Sequence, residues 1–322
     1  MNIEDINALI ADDMASVNRC IQARLNSDIV LINQIGFHII NSGGKRLRPV
    51  LHLLACRALD YNQQQHIDIA AVLEFIHTAT LLHDDVVDAS ELRRGQDSAN
   101  TVWGNEASVL VGDFLYSRAF QMMVDVGNMR VMAILAEATN TIAEGEVQQL
   151  LNVNDPDTSE ENYLHVIRSK TAKLFQAATQ LAAVVSQQSP QTEQAMANYG
   201  MHLGTAFQLV DDVLDYSSSS TEIGKNIGDD LAEGKPTLPL IYCMRQGSPE
   251  QVQTIRTAIE QGGREHTADV MAAIESTGAI DYTARTARIE ADKAIAALSE
   301  IPNSIYKQAL ITLAEFSVNR TY

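Results

Sequence analysis

The chain has 322 residues, 46% of them hydrophobic, enough for a large core, and a formal net charge of −18. That charge argues against a nucleic-acid-binding face, because phosphate backbones are held by Lys and Arg. Cys20, Cys56 and Cys243 are too few and too widely spaced for a disulfide framework or a zinc pattern. The start, Met1-Asn2-Ile3-Glu4-Asp5, has neither the basic opening nor the apolar core of a signal peptide, and no apolar run reaches the roughly 20 residues that span a bilayer. A cytoplasmic location is therefore expected.

Along the chain the apolar spacing is helical nearly throughout. Leu47, Leu51 and Leu54 recur at i, i+4 and i+7, as do Val72, Ile76 and Ala79, continuing to Leu82. Alternating strand-like runs bounded by turns are hard to find. Breaks fall at Gly43-Gly44, 91–100, 154–158, 187–191 and 217–236. Between Asp155 and Glu161 a helix start is expected, with Asp157, Thr158 or Ser159 as cap and Glu160 and Glu161 in the first turn. The expectation is an all-α helical bundle in one domain, 1–322, with no fixed-period repeat.

Two words carry the chemistry. Asp84-Asp85-Val86-Val87-Asp88 returns almost unchanged as Asp211-Asp212-Val213-Leu214-Asp215. On a helix, positions i and i+4 share a face, with Cβ atoms roughly 5–6 Å apart, so Asp84 projects with Asp88 and Asp211 with Asp215. Carboxylates on an otherwise apolar helix are costly to bury unless a cation sits among them. An all-oxygen donor set suits a hard ion, and Mg²⁺ takes a few carboxylates, waters and substrate phosphates. One copy alone reads equally as a solvated acidic face. The pair, with flanks as apolar as Thr78 to Leu82 and Gly204 to Val210, reads as two facing Mg²⁺ ladders on a phosphorylated substrate.

With only 23 Lys and Arg in the chain, cationic clusters stand out. Gly43-Gly44-Lys45-Arg46-Leu47-Arg48-Pro49 places Lys45 and Arg48 three apart after two glycines that permit unusual backbone angles. Arg93-Arg94-Gly95 follows the first Asp word, and Arg suits bidentate phosphate binding. Lys170-Thr171 is a third cationic site, and Lys225 and Lys235 follow the second Asp word. His77 lies two helical turns before Asp84 on the same face and is placed to reach a second anion, whereas His83 points elsewhere and reads as a packing residue or one that supports the ligands from behind. This repeated order suits a pocket for two polyanions, one held through metal and one directly.

Taken together, Gly-Gly-Lys-Arg-Leu-Arg-Pro, Asp-Asp-x-x-Asp with Arg-Arg-Gly, Lys-Thr, Gly-Thr-Ala-Phe-Gln-Leu-Val-Asp-Asp-x-x-Asp, Gly-Lys and Lys-Pro resemble the trans-isoprenyl diphosphate synthase family from Gly43 to Pro239. Val111 to Tyr116, Glu144-Gly145-Glu146 and Asn152 to Asp155 further resemble the bacterial octaprenyl diphosphate synthases within it. The resemblance implies an all-α bundle around a deep central cavity, usually in a homodimer. It also implies condensation of isopentenyl diphosphate with an allylic diphosphate such as farnesyl diphosphate, giving a long-chain quinone side chain. By the same resemblance Asp84, Asp85, Asp88, Asp211, Asp212 and Asp215 hold Mg²⁺, up to about three ions, on the allylic diphosphate. Arg93, Lys170, Lys225 and Lys235 contact that diphosphate with Thr171 and Gln208 nearby, and Lys45, Arg48, His77 and Arg94 hold isopentenyl diphosphate. Arg320 matches no tail pattern clearly.

Product length is expected to follow the floor of the cavity. A chain growing from the metals back along the helix of Asp84 meets the small residues Ala79 and Thr80, then Ile76 and Val72, with Met123 as a floor residue because methionine fills irregular apolar gaps. A long product follows, and the apolar product gives a reason for peripheral membrane association. Two alternatives differ in class: a non-catalytic subunit of a heteromeric prenyl synthase, which would tolerate degraded Asp words, and a His-Asp metal phosphohydrolase, which would need further histidine ligands near His83-Asp84.

Overall fold

The computed structural model describes residues 1–217 and 228–319; Lys225 and Arg320 lie outside the described residues. In chain order the helices are α1 (Ile3–Leu9), α2 (Ala11–Leu25), α3 (Val30–Asn41), α4 (Leu47–Ala58), α5 (Gln64–Val87), α6 (Ala99–Trp103), α7 (Asn105–Val126) and α8 (Met129–Asn152). Then come α9 (Glu160–Ile167), α10 (Lys173–Val185), α11 (Pro190–Ser217), α12 (Leu238–Gln246), α13 (Pro249–Gln261), α14 (Thr267–Thr277), α15 (Ala279–Ala297) and α16 (Ile305–Val318). The all-α expectation holds. Strand among the described residues is confined to one antiparallel pair, β1 (Leu92–Arg93) and β2 (Gln96–Asp97). Local sequence explains the starts: Asn2 with Asp5 and Ser248 with Gln251 form capping boxes, and Ser159 caps α9 by accepting from Asn162 N.

The chain gathers into two compact units, each built from separated segments. The first comprises Met1–Thr139, Ala177–Ala197 and Glu300–Thr312. Its axis is α5, which packs against α2, α4 and α7. From Ile67 to Ile76 the helix is apolar nearly all round, and nearly every residue there is buried. A helix apolar on every face belongs in a core. Ala79 and Met123 are likewise fully buried, while Thr80 is half-buried and returns its hydroxyl to His77 O at 2.8 Å.

The second unit comprises Asn140–Gln176, Asn198–Ser299 and Leu313–Tyr322. Here α12 packs against α9, α13, α14 and α15. Tyr216, Leu240, Ile255, Ile259, Val270 and Ile274 form one buried cluster, and Tyr163, Ile167, Leu209, Val210 and Leu238 another. Between α9 and α10 the backbone makes a π-helical turn, Arg168–Ala172. Such turns are rare and mark functional positions in helices. Two glycines hold it: a Cβ on Gly145 of α8 would meet Ser169 Cβ at 2.8 Å and Lys170 N at 2.9 Å, and one on Gly204 of α11 would meet Ala172 Cα at 2.6 Å. No helix among the described residues is long and apolar enough to cross a membrane.

Candidate active site

The first Asp word sits at the C-terminal end of α5 and the second at the C-terminal end of α11. A helix C-terminus carries partial negative charge, so three carboxylates gathered there are unfavourable unless a cation joins them. Asp88 caps α5, its N–H donating to Asp84 O at 2.8 Å. Asp84 and Asp88 are half-buried, whereas Asp85 is fully buried. Its Oδ1 takes both Arg93 Nε, at 2.9 Å, and Arg93 Nη2. Its Oδ2 is buried with no hydrogen-bond partner among the described residues, a costly state for a carboxylate oxygen.

Arg93 occupies this position because of the hairpin. Leu92 pairs with Asp97 and Arg93 with Gln96, leaving Arg94 and Gly95 as the two turn residues, at φ 55° and 76°. Two successive positive φ angles define the type I′ turn of tight hairpins; for a non-glycine residue such as Arg94 that conformation is uncommon. Its guanidinium reaches back to donate to Gly43 O. A Cβ on Gly44, itself at φ +128°, would fall 2.6 Å from that guanidinium. The glycine pair thus provides both a backbone conformation closed to L side chains and the space Arg94 needs.

Around this turn lie Arg48, half-buried at the start of α4, and exposed Lys45. His77 completes the group from α5. Burial, reinforced by Arg48, Arg94 and Arg93, holds its pKa well below the ordinary histidine value, so the ring is neutral at pH 7 and serves as a hydrogen-bonding group. Glu74, one turn earlier, is a buried carboxyl pushed up by burial against the pull of Arg46, Arg48 and Arg94. The first unit therefore brings Lys45, Arg48, His77, Arg93 and Arg94 toward one cationic surface. His83 lies against Gly112, with Nε2 3.2 Å from Val109 O and 3.4 Å from Asp113 Oδ1.

In the second unit the π turn presents Lys170 and Thr171 side by side. Lys170 Nζ sits 2.6 Å from Glu146 Oε2 and donates to Gln149 Oε1 at 2.7 Å. Thr171 Oγ1 donates to Gln208 Oε1 at 3.1 Å, and Gln208 Nε2 donates to Asp212 Oδ1 at 2.9 Å. Asp212 is 1% exposed, and its other oxygen accepts from the buried Tyr163 hydroxyl. Burial first, then the charges of Asp230 and Asp211, push its carboxyl well above the usual range. Asp215 accepts from Asp229 N at 3.2 Å and Asp230 N at 3.3 Å, while Asp211 is half-buried. Lys235 pairs with Glu233 at 2.6 Å. A cavity of about 150 Å³ opens among Lys170, Thr171, Gln208, Asp212, Asp230 and Lys235.

Among the described residues no three His, Cys, Asp or Glu side chains already converge as a metal cage. Asp85 turns to Arg93 and Asp212 to Tyr163 and Gln208. Each word taken by itself nonetheless has donors that suit a hard cation, all oxygen at a helix C-terminus, and in the first a buried Asp85 oxygen lacks a partner among the described residues. Sequence reading missed Tyr163 and Glu74, and took Gly145 and Gly204 only as parts of motifs, not as the glycines against which the π turn packs.

A Polyprenyl synthetase family model matches residues 29–277. The chain is 56% identical over 321 residues to the octaprenyl diphosphate synthase of Escherichia coli (strain K12), covering 99% of each, and 54% identical over 323 residues to that of Haemophilus influenzae, covering 100% of this chain and 98% of the other. Among solved structures, the polyprenyl synthase of Caulobacter crescentus CB15 complexed with calcium and isoprenyl diphosphate superposes with a TM-score of 0.95 at 43% identity, covering 99% of this chain and 98% of that one. A decaprenyl diphosphate synthase from Rhodobacter capsulatus gives 0.94 at 44%, covering 98% of each.

Proposed function

The chain belongs to the polyprenyl synthetase family, and on that footing we propose that it elongates an allylic diphosphate, farnesyl diphosphate in the first instance, with successive isopentenyl units to octaprenyl diphosphate. It is a prenyltransferase of isoprenoid biosynthesis, and the quinone side chain is the use we assign to its product. The observation that supports the reading is that both Asp words are intact and each has side-chain partners of its own, a guanidinium at the first and neutral hydrogen-bond donors at the second. A non-catalytic subunit has no need of either.

Asp84, Asp85, Asp88, Asp211, Asp212 and Asp215 would hold Mg²⁺, up to about three ions, on the allylic diphosphate. When bound, the ion neutralises charge on the diphosphate oxygens. Arg93, Lys170, Lys225 and Lys235 stabilise the charge that develops as the diphosphate leaves. Thr171 and Gln208 orient them. Lys45, Arg48, Arg94 and neutral His77 hold isopentenyl diphosphate so that its double bond lies in line with the allylic carbon. The bond between these carbons forms as the carbon–oxygen bond to diphosphate breaks, and a proton leaves the new chain. The released diphosphate is the base we favour, since no side chain stands out for that task. Exclusion of water protects the cation-like carbon.

Ala79 and Thr80 on α5 and Met123 on α7 set the product length. We further propose a cytoplasmic homodimer that meets the membrane through its apolar product. The test is incubation of purified protein with Mg²⁺, farnesyl diphosphate and labelled isopentenyl diphosphate. An octaprenyl product that requires Mg²⁺ is expected; phosphate release without elongation, or inertness, would sink the reading. Ala79→Tyr is expected to shorten the product, at about 1–3 kcal/mol of overpacking if the ring finds no tunnel. Full-length product from that variant, read by chromatography after dephosphorylation, rules out a path past Ala79.

A further inference from the structure

Tyr163 is 5% exposed, in the first turn of α9, and its hydroxyl donates to Asp212 Oδ2. Asp212 Oδ1 is taken by Gln208 Nε2 at 2.9 Å, and the Gln208 carbonyl is taken by Thr171 Oγ1 at 3.1 Å. Both oxygens of one buried carboxylate are thus fixed from opposite ends. One end leads through Gln208 to the π turn that carries Lys170, and the other ends at Tyr163. The Gln208 amide donates from its nitrogen to Asp212 and accepts at its oxygen from Thr171.

We propose that Tyr163 is a positioning residue for cation and allylic diphosphate binding: its hydroxyl locks Asp212, and through it the end of α11 that presents Asp211, in the orientation that receives the metal-bound diphosphate. It acts through Asp212 and does not itself touch substrate. This rests on the prenyltransferase reading. The ring of Tyr163 packs with Ile167, Leu209 and Leu238, which gives the residue an ordinary core role as well. The hydroxyl is the part without a packing explanation, since a phenylalanine would fill the same space and leave Asp212 with one donor fewer.

The variant is Tyr163→Phe in the full-length chain, with Asp212→Asn and the double variant beside it. Melting of unliganded Tyr163→Phe is expected to stay close to wild type, whereas the upward shift given by Mg²⁺ with inorganic diphosphate shrinks. The KM for farnesyl diphosphate is expected to rise about tenfold, the usual size for losing a hydrogen bond to a charged group, with the KM for isopentenyl diphosphate unchanged. The double variant is expected to be no worse than Asp212→Asn alone, because a residue that acts through another adds nothing once that other is gone. An undiminished Mg²⁺–diphosphate shift, additive losses in the double variant, or a Tyr163→Phe protein that does not fold overturns the inference. Wild-type protein that fails to elongate breaks the underlying reading; wild type that elongates beside an indistinguishable Tyr163→Phe breaks the inference alone.

Discussion

The same five-residue word occupies two different electrostatic settings. At the end of α5 the middle carboxylate, Asp85, is met by a guanidinium, Arg93. At the end of α11 its counterpart, Asp212, is met among the described residues by neutral donors, Tyr163 and Gln208, with Asp230 and Asp211 adding like charge. In the first copy the middle carboxylate is paired with a fixed positive charge; in the second it is held by hydrogen bonds while like charge nearby pushes its carboxyl up. A repeated motif therefore does not imply repeated energetics, because neighbours from distant parts of the chain decide which copy is satisfied.

The comparison breaks outright if either copy is dispensable. Asp84→Ala and Asp211→Ala are each expected to lower turnover by roughly two to three orders of magnitude or more, with helical circular dichroism unchanged. Near-normal turnover in one variant would remove that copy from the chemistry. A sharper version concerns stability without ligands. Asp85→Asn leaves Arg93 facing no charge and is expected to lower unfolding stability by about 2–4 kcal/mol. Asp212→Asn removes a carboxylate that its surroundings disfavour and is expected to shift it by less than about 1 kcal/mol. Denaturant midpoints for the two would decide, and equal losses would erase the distinction.

The hairpin offers a smaller effect. Arg93 faces the first Asp word, while Arg94 turns back to Gly43. Arg93→Ala is expected to raise the KM for the allylic substrate and Arg94→Ala that for isopentenyl diphosphate, each by about 1.5–3 kcal/mol or roughly ten- to a hundredfold. Equal effects of both variants on both substrates would show that the hairpin does not sort the two anions.

Glu290 gives the smallest effect and serves as a control within the second unit. Burial works against its charge, yet His202 at 2.6 Å and Lys293 at 2.9 Å outweigh it and hold its carboxyl down at about 2, against 4.5 ordinarily. A depressed carboxyl stabilises the fold above its unfolded value and loses that contribution as pH falls from about 4.5 toward 2. Glu290→Gln is expected to lower stability at pH 7 by about 1–2 kcal/mol after solvent screening and to flatten the acid limb of the melting profile. Asp212 has the opposite sign. Its raised carboxyl makes the unliganded fold less stable as pH climbs through its titration, and Asp212→Asn should remove that slope.

The helical character, several of the breaks, a cap at one of Asp157, Thr158 and Ser159, and both Asp words are written in local sequence. Period, cap chemistry and i, i+4 spacing act over a few residues, so Leu47–Leu54 and Val72–Leu82 declare their helices unaided. The glycines before Lys45 announced an unusual turn for the same reason. What only the tertiary structure decided is who meets whom. That Arg93 closes on Asp85 depends on a two-residue turn with Arg94 at positive φ. That Thr171 meets Gln208 involves a π turn packed closely against Gly145 and Gly204, and that Tyr163 of α9 reaches Asp212 of α11 spans 49 residues of chain. Hydrogen bonds and charge balance join residues far apart in the chain, and their energies depend on burial and separation, which a linear spacing does not contain.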